Sequence, residues 1–223
     1  MQLNILVEGQ TEETFSKEIL SPYFGAHGIN VTPIIISTKR LRNGIKFKGG
    51  LSDSNYNSFE ADLKRLIHST PHGLVTTFID YYALPTSFPG YANRVTQPSQ
   101  IHKVQFLERE LAKALDDPGN FIPHIQLHEF EALLFSDMQG FEAIIEDDGN
   151  NLAGLRGIVN SHNNPEDINE GALTAPSKRI LSFHPRYEKV VEGNLIALEI
   201  GIEKFIEKCP HFRKWTEEII ARI

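Results

Sequence analysis

The sequence predicts an α/β protein with a mostly parallel sheet, flanking helices and a C-terminal helical extension. Two observations support this fold class. Short apolar runs alternate with segments of helical spacing, and the chain, at 223 residues with 40% hydrophobic content, is long enough to bury a full core. We place the α/β domain at residues 1–149 and the helical extension at residues 150–223, because Asp147 to Asn151 form a polar, turn-prone segment.

The first predicted unit is a strand, a tight turn and a helix. The apolar run Leu3–Val7 is too short for a helix and stops at Glu8 and Gly9, and the residues that follow recur at helical spacing. Ligands of open α/β sheets bind at the carboxyl ends of the strands, which is where Glu8 lies. Strand propensity does not explain a carboxylate at the end of an apolar strand, so Glu8 is a candidate site residue.

The remaining elements follow in chain order. A second strand, Val31–Ser37, contains Pro33, which cannot donate to a ladder and so indicates an edge position. The other predicted strands and helices are the helix Ser58–His68, the strand Leu74–Asp80, the helix Gln100–Leu115, the strand Phe121–Leu127, a helix capped by Ser136, and helices at Ser177–Leu181, Leu195–Glu207 and His211–Ile220. We expect the last helices to bury Phe205, Ile206, Phe212 and Trp215.

Three predicted strands run into acidic residues, and this repetition is the main functional signal. Glu8 and Asp80 end two of them, and Glu129 and Glu131 follow the third. Parallel strands connected through helices end at the same rim, where Glu12, one helical turn from Glu8, also lies. Clustered carboxylates repel one another unless a cation neutralises them. Oxygen ligands without a Cys/His set favour Mg²⁺ or Mn²⁺, and such a site suits phosphodiester cleavage or a related phosphoryl transfer.

The charge distribution limits the partners. The net charge of −7 argues against a generally basic surface, and residues 1–149, with 12 Lys and Arg against 19 Asp and Glu, hold all of it. Within this acidic part, one glycine-bearing segment is basic, and its cations are Lys39, Arg40, Arg42, Lys46 and Lys48. This segment is either a solvated loop or a flap that contacts phosphates of a nucleic acid. Lys178 and Arg179, near a predicted helix start, could also hold a phosphate.

Histidine offers a second kind of site. His124 and His128 share a face of a predicted strand and could bind a metal, or His128 could orient a neighbouring carboxylate or donate a proton. The single cysteine, Cys209, excludes an internal disulfide and fits a reducing compartment. Because the sequence shows neither a secretory leader nor a bilayer-spanning apolar run, we expect a cytoplasmic protein without membrane association.

Four segments resemble a known family. They begin at Val7 (VEGQTEE), Phe78 (FIDYY), Gln126 (QLHEFEALLF) and Ala175 (APSKR), and together they resemble the bacterial Toprim-like family called domain of unknown function 4276. The first segment also resembles the first motif of the Toprim domains of overcoming-lysogenization-defect nucleases. The resemblance implies a Rossmann-like, Toprim-like sheet, Glu8 as metal ligand or general base, Asp80 as metal ligand, and an ATPase partner in phage defence.

The chain departs from the usual Toprim pattern at one position. The second Toprim motif is Asp-x-Asp, whereas here it reads Asp80-Tyr81-Tyr82. Either Glu12, Glu129 or Glu131 replaces the missing ligand, or one metal binds, or the site is degenerate.

These observations give one leading hypothesis and two alternatives. The leading hypothesis is a Mg²⁺- or Mn²⁺-dependent nuclease acting on DNA or RNA, with Glu8, Asp80, Glu129, Glu131 and His128 as catalytic candidates. The same acids and Glu12 are the candidate metal ligands. The alternatives are a non-catalytic regulatory subunit with a degenerate site and a metal-dependent nucleotide phosphohydrolase. We also expect a homodimer, because symmetric dimers are the commonest assemblies.

Overall fold

A computed structural model describes residues 1–36, 39–40, 46–47, 51–147, 149–168, 171 and 174–222. The strands are β1 (Gln2–Val7), β2 (Asn30–Ile35), β3 (Lys39–Arg40), β4 (Lys46–Phe47), β5 (Leu74–Asp80), β6 (Phe121–Ile122) and β7 (Ile125–Gln126). The helices are α1 (Gln10–Phe15), α2 (Ser21–Ala26), α3 (Tyr56–Ser69), α4 (Gln100–Ala114), α5 (Glu131–Leu134), α6 (Met138–Ile144), α7 (Asn151–Ser161), α8 (Pro176–Phe183), α9 (Asn194–Ile200), α10 (Ile202–Lys208) and α11 (Pro210–Ala221).

The main sheet contains five parallel strands, which confirms the predicted α/β class. Its order is β2-β1-β5, with β6 and β7 both paired to β5. Val7 lies opposite Ile35 on one side and Phe78 on the other. The first residues after β1 and the last residues of β5 therefore reach the same edge of the sheet. In the described residues β2 pairs with β1 alone, so the edge position predicted from Pro33 is confirmed.

The predicted strand Phe121–Leu127 is divided into β6 and β7. The interruption falls at Pro123 and His124, where proline provides no backbone donor. The hydroxyl of Thr77 on β5 replaces the backbone hydrogen bonds of the sheet at this point. It accepts from the His124 backbone N–H at 2.9 Å and donates to the His124 carbonyl at 2.8 Å. This interruption turns the His124 side chain into the protein interior.

Helices cover both faces of the sheet. On one face, α3 and α4 pack Phe59, Leu63 and Leu107 against the sheet. The other face carries a larger core built from α1, α2 and the C-terminal helices. Phe205, Phe212 and Trp215 are buried there and Ile206 is partly buried, as predicted. This core combines side chains from residues 1–149 and 150–223, and the boundary between them remains a prediction. In the described part of the chain, no helix is long and apolar enough to cross a membrane.

Three helical details differ from the sequence predictions. Helix α6 is capped by Asp137, whose side chain accepts from Gln139 N–H, and not by Ser136, whose hydroxyl lies 3.5 Å from Cys209 Sγ. Helix α7 was not predicted, because its start is rich in asparagine and glycine, which favour loops. The predicted helix Leu195–Glu207 is divided into α9 and α10 at Gly201, whose φ of +79° a helix cannot accommodate.

Two helical glycines provide a matched test of the packing. A Cβ on Gly140 in α6 would lie 2.5 Å from the carbonyl oxygen of Ile196, whereas a Cβ on Gly157 in α7 would meet nothing within 4 Å. We predict that Gly140→Ala lowers the free energy of unfolding by about 1–3 kcal/mol through overpacking. Gly157→Ala should raise it by up to about 1 kcal/mol, because alanine favours the helix. Urea denaturation measures both, and equal effects of the two substitutions would contradict the close approach of α6 and α9.

Candidate functional site

Two backbone amides at the carboxyl edge of the sheet hold Glu8 and Asp80 in place. Glu8 directly follows β1 and Asp80 ends β5, the neighbouring parallel strand. The Glu8 carboxylate (Oε1) accepts the backbone N–H of Asp80 at 2.9 Å. Asp80 in turn accepts the backbone N–H of Phe130 through Oδ1 at 3.0 Å. Both side chains are buried, so their positions are fixed by the backbone around them.

Two further acids complete a carboxylate cluster, which we define as Glu8, Glu12, Asp80 and Glu131. Glu12 in the first turn of α1 accepts the backbone N–H of Gly9 at 3.0 Å and is buried. Glu131 at the start of α5 is fully buried, and among the described residues neither of its oxygens accepts a hydrogen bond of good geometry. The structure thus brings together four of the five acids that the sequence suggested as metal ligands.

A lysine that the sequence analysis missed lies within the carboxylate cluster. The ammonium group (Nζ) of Lys189 is 3.2 Å from Glu131, 3.5 Å from Asp80 and 3.6 Å from Glu12. Lys189 begins a π-helical turn, Lys189–Gly193, that leads into α9. The next residue, Asn194, donates to the carbonyl of Thr11 at 3.3 Å and so ties this turn to α1. Only the requirement that clustered acids need a cation could have indicated Lys189 from sequence.

Burial changes the protonation of the cluster. Burial, reinforced by the charge of Glu12, raises the pKa of Glu8 to about 7. Burial also raises the pKa of Asp80 well above its usual range and raises that of Glu131, although Lys189 opposes both shifts. Burial alone would lower the pKa of Lys189. The negative charges of Asp80, Glu131 and Glu12 have the larger effect and raise this pKa. One ammonium therefore does not balance four acids, and the metal-free cluster retains protons near neutral pH.

Glu129 and His128, two other catalytic candidates, have partners outside the cluster. Glu129 is half-buried and accepts the backbone N–H of Ser177 at the start of α8, at 3.0 Å. His128 has a φ of +65°, and its Nε2 donates to the carbonyl of Glu166 at 2.9 Å. Burial lowers the pKa of His128, which keeps the ring neutral at pH 7. Their catalytic roles remain predictions.

Tyr82, which stands where the resemblance leads one to expect a second acid, is 39% exposed, and its ring lies 6.0 Å from that of His128. Of the acids that could replace the missing ligand, Glu12 and Glu131 contact Lys189 together with Asp80, whereas Glu129 is bonded to α8.

The basic candidates are only partly described. Lys39, Arg40 and Lys46 belong to the short antiparallel pair β3–β4, with side chains outside the described part, and Arg42 and Lys48 lie outside the described residues altogether. One flank of this segment bonds the last residue of β1, and the other interacts with Glu8 of the carboxylate cluster. The N–H of Ile36 bonds the carbonyl of Val7 at 2.9 Å, and the backbone amide of Leu51 stabilises ionised Glu8.

The other two basic candidates, Lys178 and Arg179, lie within the first half of α8. Lys178 is exposed, and Arg179 donates from Nε to the carbonyl of Thr174 at 2.9 Å.

A separate group of three side chains could hold a metal ion: Glu108, His124 and His211. Their ligand atoms all lie within 4.8 Å of one another. This group pairs His124 with His211 instead of His128, the partner suggested by the sequence. Burial, and then the neighbouring His211, lowers the pKa of His124 well below its usual range, so its imidazole is neutral. Neither Glu108 nor His211 was predicted as a site residue, because no sequence motif connects them to His124.

The family described as a domain of unknown function (DUF4276) matches residues 7–220. The chain belongs to this family. No curated protein and no solved structure matches it. Membership in the DUF4276 family confirms the resemblance of the four sequence segments at the level of that family. Family membership assigns no activity to the carboxylate cluster.

The donors of the carboxylate cluster are all carboxylate oxygens, the ligand type that hard divalent cations prefer. Lys189 already places one positive charge within 3.6 Å of Glu12, Asp80 and Glu131, which shows that these three side chains converge on a single cation position. They are the residues that would hold the metal, with Glu8 beside them.

The raised pKa of Glu8 makes stability depend on pH. Glu8 binds its proton in the folded protein up to a pH of about 7 but loses it in the unfolded chain near 4.5, so wild-type stability is lost as pH rises through this window. Glutamine cannot ionise. We therefore predict that Glu8→Gln, in chelator, is more stable than wild type by about 3 kcal/mol at pH 8, with the difference shrinking towards pH 4.5.

Urea denaturation at several pH values measures this difference in stability. Glu13→Gln is the control, because Glu13 pairs at the surface with Lys17, four residues later in the chain. A wild type that gains stability relative to Glu8→Gln as pH rises would show that Glu8 is not destabilised by its surroundings.

Proposed function

We propose that this protein is a Mg²⁺- or Mn²⁺-dependent nuclease that hydrolyses phosphodiester bonds of DNA or RNA. The observation that carries the proposal is the convergence of Glu12, Asp80 and Glu131 on one cation position, with Glu8 adjacent. Carboxylates from two neighbouring strand ends and two helix starts are arranged as a metal-dependent phosphoryl-transfer site requires. The resemblance of the first segment, which begins at Val7, to the first motif of the Toprim domains of overcoming-lysogenization-defect nucleases supports the same proposal.

The residues have distinct roles in this proposal. A divalent cation held by Glu12, Asp80 and Glu131 would lower the pKa of a water molecule and offset charge on the phosphate. Glu8 is the general base, because its pKa of about 7 lets it accept a proton from water near neutral pH. The Asp80 N–H fixes the orientation of Glu8. Lys189 stays protonated and donates to a phosphate oxygen, supplying positive charge that a second metal provides in two-metal sites.

A polymeric substrate is favoured by the basic segment beside the cluster. The segment between Ile36 and Leu51 contains five cations and begins and ends next to Val7 and Glu8. Lys and Arg that contact a nucleic-acid backbone bind it independently of base sequence. We propose that the cations of this segment contact the backbone of a nucleic acid bound at the carboxylates.

The biological setting is also a proposal. Like the Toprim-like proteins it resembles, the chain would act in the cytoplasm as the effector of an antiviral defence system, together with an ATPase partner and as a homodimer. A mononucleotide phosphohydrolase would use the same carboxylates but would not need the basic segment.

One pair of observations favours a second function, that of a non-catalytic regulatory subunit. Lys189 occupies the position that a cation would take, and Tyr82 replaces an acid of the second Toprim motif. In a degenerate site, the ion pairs of Lys189 would be permanent and structural. Metal binding by a Lys189 variant separates the two functions.

We predict that Lys189→Met raises the affinity for Mn²⁺ at least tenfold, because the ammonium that competes for three carboxylates is removed. Isothermal titration calorimetry measures the change. Lys204→Met is the matched control, since Lys204 pairs with Glu207 and Asp137 elsewhere on the protein. Absence of Mn²⁺ binding in both wild type and Lys189→Met would favour the regulatory subunit.

Cleavage assays test the activity itself. Plasmid DNA, RNA and a nucleoside triphosphate are incubated with Mn²⁺ or with chelator. We predict metal-dependent cleavage of a polymer and a loss of at least about 100-fold in Glu8→Gln and Asp80→Asn, the lower range for removing a general base. Glu13→Gln should retain activity. Unchanged cleavage in both site variants would exclude the carboxylate cluster, and hydrolysis of the triphosphate alone would identify a phosphohydrolase.

A further inference from the structure

Glu108, His124 and His211 come together at the sheet edge formed by β6 and β7. Glu108 belongs to α4, which covers one face of the sheet, and His211 belongs to α11, which packs on the other. His124 lies between β6 and β7, so the three side chains link both helical layers past the end of the sheet. This group, which we call the edge group, shares no residue with the carboxylate cluster.

Part of the edge group is held by ordinary contacts. Oε1 of Glu108 accepts the backbone N–H of Ile125 at 2.9 Å and lies 2.9 Å from Nε2 of His211. The ring of His124 stacks with Trp215, at 4.3 Å between centroids, with His211, at 4.9 Å, and with Phe78, at 5.5 Å. These ring contacts give no hydrogen-bond partner to the nitrogens of His124.

Those nitrogens are buried without hydrogen bonds. His124 is fully buried, and across the described chain neither of its ring nitrogens has a hydrogen-bond partner. The Gln126 amide weakly favours the protonated ring, but no hydrogen bond of good geometry joins the two. Nδ1 of His211 makes no hydrogen bond of good geometry, although the Ile125 backbone favours the protonated ring. Buried polar atoms without partners are costly, so the site favours a ligand that binds the lone pair of a ring nitrogen.

Geometry and space fit such a ligand. Nδ1 of His124 is 3.8 Å from Oε1 of Glu108, so the unpaired nitrogen faces the carboxylate. A cavity of about 40 Å³ adjoins the three side chains, with Lys214 and Glu218 of opposite charge also on its wall. That volume admits an ion and a water molecule.

We propose that the edge group binds a transition-metal ion of the zinc class, with water as a fourth ligand. Two imidazole nitrogens and one carboxylate oxygen select Zn²⁺, Co²⁺ or Ni²⁺ over Mg²⁺. Ligands about 2.1 Å from one ion are at most about 4.2 Å apart, and Oε1 of Glu108 already lies 3.8 Å from Nδ1 of His124 and 2.9 Å from Nε2 of His211. On binding, the ion replaces the hydrogen bond of His211 to Glu108. The side chains are 12% exposed or less, which excludes a substrate and makes the role structural: the ion joins α4 to α11.

Metal titration of the intact, chelator-treated chain tests the proposal. We expect wild type to bind one Zn²⁺ and to melt at a higher temperature when loaded, and Co²⁺ to give the visible absorption of a four-coordinate site. Glu108→Gln and His211→Gln should weaken Zn²⁺ binding at least tenfold, whereas His72→Gln, at an exposed position, should not.

Two outcomes would overturn the site. One is a wild type that binds neither Zn²⁺ nor Co²⁺, a result independent of whether any variant folds. The other is loss of Zn²⁺ binding in Glu8→Gln and Asp80→Asn with retention in Glu108→Gln and His211→Gln, which would place the ion in the carboxylate cluster. Zn²⁺ binding at the edge group does not require nuclease activity, so this proposal and the proposed function can fail separately.

Discussion

The structure depends on the balance of charge among four buried carboxylates. Glu8, Glu12, Asp80 and Glu131 are each less than a tenth exposed, and carboxylates so close in a medium of low polarity cannot all be ionised without a cation. Backbone N–H groups stabilise Glu8, Glu12 and Asp80, but Glu131 has Lys189 as its charged partner. The pKa values of Glu8, Asp80 and Glu131 are raised, which indicates that this compensation is incomplete.

This balance also links distant parts of the chain. The four acids belong to the first 149 residues, whereas Lys189 comes from the turn before α9. The C-terminal part of the chain therefore does more than cover one face of the sheet, because the turn before α9 carries the cation that the buried acids require. The edge group repeats this design, since α11 brings His211 to Glu108 on α4.

Sequence periodicity predicted the parts of the fold that depend on local pattern. The apolar strands, the edge position of Pro33 and the acids at the ends of β1 and β5 follow from residue order and from the parallel connection of strands. Contacts between distant segments were not predictable in this way. No sequence feature near Lys189 distinguishes it from a surface lysine, and no sequence spacing connects His211 to His124. The division of α9 from α10 at Gly201 was also not predicted, because the apolar periodicity of the sequence continues across Gly201.

We propose that Glu12, Asp80 and Glu131 bind one divalent cation at the position of the Lys189 ammonium group, with Glu8 beside it. A crystal structure of the wild-type protein with Mn²⁺, located by its anomalous scattering, tests this proposal. We expect one ion bonded to oxygens of Asp80, Glu131 and Glu12, with Nζ of Lys189 moved out of that position. An unchanged Lys189 between the three carboxylates at saturating Mn²⁺, with no anomalous peak beside them, would contradict it.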